Sequence, residues 1–122
     1  MMKKSHVFES IRNNQSFVII SDCCVDNNAI EEVVTSPQLK GLGIIDCIID
    51  ANQVPAVLKG RDLMLDELSF AGSKFKCKEL VSLMIQVLNP RILTLYDTNL
   101  SIDDVNRLRK EFEAISIRYA PE

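Results

Sequence analysis

Apolar side chains recur along this chain with a long period. Four sixteen-residue stretches align without gaps: VIISDCCVDNNAIEEV at 18–33, LGIIDCIIDANQVPAV at 42–57, LSFAGSKFKCKELVSL at 68–83 and LTLYDTNLSIDDVNRL at 93–108. They begin 24, 26 and 25 residues apart. A shorter stretch, ISIRYA, starts at Ile115, 22 residues after Leu93. The first apolar column runs Val18, Leu42, Leu68, Leu93 and Ile115, and the second Ile20, Ile44, Phe70, Leu95 and Ile117. Two residues apart, these positions share one face of a strand. A column of Cys23, Cys47, Ser73, Thr98 and Ala120 comes three residues later, where the chain must turn. A small polar or thiol group there can bond backbone that the turn leaves unpaired. Val25, Ile49, Phe75 and Leu100 follow. The last columns are Ile30, Val54, Leu80 and Val105, then Val33, Val57, Leu83 and Leu108, one helical turn further.

The repeating unit therefore reads as strand, turn, helix. Such a unit cannot bury its apolar face alone, but a stack of them can. The pattern predicts parallel strands near 17–21, 42–45, 67–71, 92–96 and 115–118. It predicts helices near 27–36, 51–59, 77–88 and 102–113. Ser101 with Asp104, and Asp50 with Gln53, have the spacing of helix-capping pairs, and Asp26 can cap the first helix. The third unit offers Lys76 and Lys78 there instead. Pro37 and Pro90 fall between units, where helices end. Phe8 and Ile11, preceded by Ser5, suggest an N-terminal capping helix within 1–16, ahead of repeats at 17–122.

These columns resemble the leucine-rich-repeat superfamily, whose strand segment reads L-x-x-L-x-L-x-x-N/C-x-L, over roughly residues 17–120. The helix-side spacing is most similar to the ribonuclease-inhibitor-like subtype, with LTLYDTNLSIDDVNRLRKEF the best match and Phe112 at that subtype's next apolar position. The chain departs from the pattern in two ways: Val, Ile or Phe often replaces Leu, and Cys, Cys, Ser and Thr stand where Asn is usual. The resemblance implies an α/β fold, a short horseshoe-shaped leucine-rich-repeat solenoid of four repeats and a half. Its parallel sheet would line the concave face and its helices the convex face. It implies protein binding and offers no catalytic residues. A doubly wound α/β sandwich, such as the anti-sigma-antagonist domains, also alternates strand and helix, but a near-constant period argues against it. No loop resembles that family's phosphorylated-serine motif.

Composition narrows the function classes. Of 122 residues, 47% are apolar and none is Trp, so the core must be built from Ile, Leu and Val. The net charge of -3 is the wrong sign for a phosphate-binding surface, so no nucleic-acid partner is expected. No apolar run reaches the roughly 18 residues of a membrane span. MMKKSHVFESIRNNQ lacks the apolar stretch of about 7–15 residues that a signal peptide needs. A cytoplasmic location and no membrane partner are the expectations, non-classical export leaving no readable mark. Four Cys and one His, His6, lack zinc spacing, so no metal and no cofactor are expected. Cys23 and Cys47, on adjacent rungs, read as buried structural thiols; side chains pointing the same way about 4.8 Å apart fit a disulfide poorly. No phosphate loop, G-x-S-x-G or H-E-x-x-H occurs, so catalysis ranks last.

The candidate binding residues lie on the outward positions of the strands. Asp22, Asp46 and Asp97 form an acidic row interrupted by Gly72, with Ile45 beside it. Tyr96, Arg118 and Tyr119 cluster at the C-terminal end. Tyr and Arg are enriched at binding hot spots, and an acidic row favours a basic partner. The leading reading is a non-catalytic protein-binding scaffold or adaptor, serving in an assembly or, as a microbial effector, on a host protein. The alternative is a structural subunit that assembles through an open solenoid end. Strand five, blunted by Arg118 and Pro121, is expected to leave the protein a monomer or weak homodimer.

Overall fold

The computed structural model describes residues 16–35, 39–51 and 64–121. Residues 1–15 and 52–59 of the expected helices at 1–16 and 51–59, and Gln53 of the Asp50–Gln53 cap, lie outside these residues. The elements are β1 (Phe17–Ser21), β2 (Cys24–Asp26), α1 (Asn27–Val34), β3 (Gly41–Ile45), β4 (Ile48–Asp50), β5 (Leu65–Ala71), β6 (Lys74–Phe75), α2 (Leu80–Leu88), β7 (Pro90–Tyr96), α3 (Ile102–Glu111) and β8 (Ser116–Ala120). The architecture is mixed α/β. A five-stranded parallel sheet runs β1-β3-β5-β7-β8, and a three-stranded parallel sheet runs β2-β4-β6. Each strand pairs with the next of its kind along the chain.

The register follows the apolar columns. Val18 stands beside Leu42, Leu42 beside Leu68, and Leu68 beside Leu93; Ile20, Ile44, Phe70 and Leu95 form the second row. All eight are fully buried. One core holds these rows, the inward residues of the second sheet (Val25, Ile49, Phe75) and the apolar sides of the helices. Phe70 and Phe75 lie 4.9 Å apart with tilted rings, joining the two sheets by an edge-rich aromatic contact.

The second sheet was not anticipated from the sequence. After each of the first four long strands the chain turns through one residue with positive φ: Asp22 (54°), Asp46 (53°), Gly72 (63°) and Asp97 (51°). Asp and Gly are among the residues that tolerate this left-handed conformation. Their amides donate across rungs, Asp22 to Ile45 (3.1 Å), Asp46 to Ala71 (2.8 Å), Gly72 to Tyr96 (3.0 Å) and Asp97 to Ala120 (3.0 Å). The ladder side chains complete the turn. Ser73 Oγ donates to the Ile44 carbonyl (3.0 Å) and accepts the Cys47 amide (3.1 Å), while Cys47 Sγ donates to the Ile45 carbonyl (3.2 Å). Cys23 Sγ donates to the Ser21 carbonyl (3.1 Å). Asn99 does for the second sheet what a further strand would do. Its amide accepts the Phe75 N–H and donates to the Phe75 carbonyl, both at 2.9 Å.

The helices start where their caps allow. Asp26 accepts the Ala29 amide (2.9 Å), and Ser101 and Asp104 form a reciprocal capping box. The third unit has no side-chain cap, and α2 begins at Leu80, three residues later than expected. It is held instead by burial of Leu80, Val81, Met84, Ile85, Val87 and Leu88, and Asn89 in a left-handed conformation ends it before Pro90.

The final strand corrects the alignment. Ile117, not Ile115, stands beside Leu93, and Tyr119 beside Leu95. Ile115 is still turning: its amide donates to the carbonyl of Phe112, the C-cap of α3. Leu93 to Ile117 spans 24 residues, within the range of the earlier units. Ala120 consequently lies beside Tyr96, not in the ladder column.

Ser73 is fully buried, so Ser73→Ala strands the Cys47 amide without a partner. The expected loss is about 1–3 kcal/mol in urea denaturation. Ser73→Cys, which restores the group used on the first two rungs, should retain most of that stability. An alanine variant as stable as the parent would remove the ladder from the account.

Candidate functional site

The five-stranded sheet has a face directed away from the core, and its register builds three cross-strand rows. The first is Phe17, Gly41, Glu67, Ile92 and Ser116; the second Ile19, Gly43, Ser69, Thr94 and Arg118; the third Ser21, Ile45, Ala71, Tyr96 and Ala120. Phe17, Ile19, Ile45 and Tyr96 each expose 38–49% of their surface here. Solitary exposed apolar residues need no explanation, but several on one sheet face form a patch. The Phe17 ring lies over Gly41, where a Cβ would collide with it.

Of the residues proposed from sequence, Ile45 and Tyr96 share the third row, with Ala71 between them. Arg118 is exposed but stands beside Thr94 in the second row, diagonal to Tyr96. Tyr119 is not on this face. The two-residue shift in the last strand turns it inward, where its ring packs on the core and its hydroxyl donates to the Leu100 carbonyl (3.1 Å). Asp22, Asp46 and Asp97 occupy the positive-φ turn, which accounts for their kinship with Gly72 without a ligand. Asp97 also meets Lys74, its carboxylate 3.9 Å and its carbonyl 3.3 Å from Nζ, an exposed contact worth little. Phe17 and Ile19 were not among the contacts chosen from the sequence. Their outward phase was legible from the strand period, but apolar character there was not read as exposure.

Cys23 and Cys47 are placed for structure, bonded to backbone carbonyls at the turn. Cys23, Cys24, Cys47 and Cys77 are all free. Burial pushes the Cys47 thiol above its usual range, so it stays protonated as a donor. Exposed Cys77 donates to the Glu79 carboxylate, which raises the thiol and lowers the acid. Both shifts disfavour a nucleophilic thiolate. Among the described residues no group of three or more His, Cys, Asp or Glu is arranged to hold a metal ion. No helix among them is long and apolar enough to cross a membrane.

The opposite surface carries a cleft of about 230 Å³ between α2 and α3, walled by Val81, Leu100 and Leu108. Polar pairs tie its walls together, Lys78 to Asp104 at 2.9 Å and Ser82 to Glu111 at 3.2 Å. Neither a protein-family model, nor a curated protein, nor a solved structure matches this chain.

Asp104 belongs to that tie. The Ser101 amide, then Lys78, holds its carboxyl down at about 2. A carboxylate with a lowered folded-state pKa stabilises the fold above its unfolded value and loses that contribution as pH falls through the folded one. The melting temperature of the parent should therefore exceed that of Asp104→Asn near neutrality, and the gap should close between about pH 4 and pH 2. A gap independent of pH over that interval would mean that the carboxylate charge does not act.

Proposed function

We propose that this chain is a short leucine-rich-repeat solenoid that works as a non-catalytic protein-binding module, with the outer face of the five-stranded sheet as its binding surface. The fold part of the reading rests on the strict chain-order pairing of β1, β3, β5, β7 and β8, with a turn of the same kind after each of the first four. The observation that carries the functional part is the exposure of Phe17, Ile19, Ile45 and Tyr96 on a sheet whose other face is sealed in the core. Backbone pairing holds these side chains at fixed spacings, so binding them costs little ordering of the surface. Ile45, Tyr96 and Arg118 are the proposed contacts retained from the sequence, with Asp22, Asp46 and Asp97 along the margin. Tyr119 supports Leu100 from beneath. Its partner is another protein, in the cytoplasm.

A structural subunit joined through its end is the second reading, favoured by β8 having, among the described residues, a strand neighbour on one side only. Two charges oppose it: Arg109 donates to the Ile117 carbonyl (3.2 Å) on that open edge, and Arg118 is exposed beside it. Charged groups at an edge discourage strand addition, which favours a monomer or weak homodimer.

Affinity capture with quantitative mass spectrometry tests the reading. The parent is compared with an outer-face variant, Ile45→Ser with Tyr96→Ala, and a helix-side variant, Arg107→Ala with Glu111→Ala. Proteins retained by the parent and the helix-side variant but lost with the outer-face variant are expected. A captured set that follows the helix-side changes instead would move the binding surface to α2 and α3.

A further inference from the structure

We infer that the β8 end of the stack is a built cap. Arg109, Tyr119 and Pro121 each take or remove a place at which a further unit would join, so that neither a second copy of this chain nor added sequence continues the sheet there. The cap presupposes the stacked units of the proposed function and is independent of which face binds a partner. Its first part is the turn. After each of the first four long strands a residue of positive φ sends its amide to the neighbouring rung, Asp22 to Ile45, Asp46 to Ala71, Gly72 to Tyr96 and Asp97 to Ala120. Ala120 stands beside Tyr96, so Pro121 holds the corresponding place after β8. A proline ring fixes φ at about −65° and leaves no N–H. Pro121 therefore can neither adopt this turn nor donate the bond that would tie a sixth long strand.

The other two parts are side chains bonded to carbonyls that a further unit would use. Along a parallel strand, successive residues turn their N–H and C=O groups to opposite sides. The Ala120 carbonyl faces β7, where it accepts the Asp97 amide, so the backbone groups of Ile117 and Tyr119 face the open edge. Arg109 Nη2, from α3, donates to the Ile117 carbonyl at 3.2 Å. The second sheet is closed in the same manner. Its inward residues are Val25, Ile49 and Phe75, with Leu100 continuing the column. On Ile49 the carbonyl accepts a backbone amide of the next unit, that of Lys76, at 3.0 Å. On Phe75 the donor is the Asn99 side-chain amide, at 2.9 Å. On Leu100 it is the Tyr119 hydroxyl, at 3.1 Å. A backbone donor gives way to side-chain donors as the stack ends, and an edge whose acceptors are already bonded is a poor template for strand addition.

Extension of the full chain tests the cap. A copy of residues 98–120 replaces Glu122, supplying the sequence of α3 and β8 once more. One protein keeps the parent residues ahead of the copy; the other carries Arg109→Ala, Tyr119→Phe and Pro121→Asp, with the copy itself unchanged. Native hydrogen exchange is read at the Ile117 and Tyr119 amides, which would face the new strand. In the extended parent both should exchange as at an open edge, and in the released protein both should slow by about a hundredfold or more. Pro121→Asp alone, at an exposed position, guards against a triple variant that fails to fold; it should slow both amides by about tenfold. Protection of these amides in the extended parent would overturn the cap. So would fast exchange in a released protein whose β3 and β5 amides stay protected, or no response to Pro121→Asp alone. Self-association of the unextended parent that protects the same two amides would overturn it as well. Any of these leaves outer-face-dependent capture untouched, whereas loss of protection along β3 and β5 in the parent would remove the stacked units themselves.

Discussion

Everything in this fold depends on one turn made in the same way after each of the first four long strands. The chain must leave the large sheet, reverse its phase and continue toward the second sheet or a helix, and it must do so under a core that excludes water. A buried amide or carbonyl without a partner costs as much as a lost hydrogen bond, so the turn is only possible where each such group is matched. The residue with positive φ aims its amide at the next rung, and the side chain after it, Cys or Ser on the first three rungs, takes the groups left over. Once that device is set, neighbouring strands can pair only in one register, since a slip of a single residue would carry Val18, Leu42, Leu68 and Leu93 to the exposed face.

Burial supplies the energy and polar contacts supply the address. Fully burying a side chain such as Phe70 or Leu95 is worth about 1.5–3 kcal/mol, whereas an exposed pair such as Lys76 with Asp50 at 3.4 Å contributes at most about 1 kcal/mol. The contrast between α2 and α3 shows the same division. Six of the nine residues of α2 are buried and it has no side-chain cap; α3 buries only Val105 and Leu108 and carries a capping box, acids in its first turn and bases in its last. A helix deep in the core can do without local signals that a helix at the surface needs.

Much of this was legible in the sequence because the columns are spaced by physics. The two strand columns, the ladder position and the helix caps at Asp26 and Ser101 follow from periodicity and hydrogen-bonding capacity, and the strands lie within two residues of their expected places. The second sheet was missed because its strands are two or three residues long, too short for an alternation to declare itself. The acidic row misled for a related reason. Three Asp and one Gly in a column invite a reading in terms of charge, but Gly is the informative member: Asp and Gly have left-handed backbone in common, not charge. Tyr119 was placed outward because ISIRYA was aligned on its first isoleucine, and the constant period would have chosen Ile117. The Phe17–Ile19 surface and the tie made by Asn99 depend on which neighbour lies across the sheet, which the sequence of one unit does not contain.

The same repetition leaves one face of the sheet free of the core. Because inward positions are committed to the core, outward positions are open to vary, and here they change from apolar Phe17 and Ile19 on β1 to Thr94 and Arg118 on β7 and β8. The turn on which this depends is tested most directly by hydrogen exchange at individual amides under native conditions. The account predicts that Asp46, Gly72 and Cys47, none of which lies within a strand, exchange as slowly as the central residues of β3 and β5 because each amide is bonded to the neighbouring rung. Exchange at the rate of an unstructured chain at these three positions would contradict it.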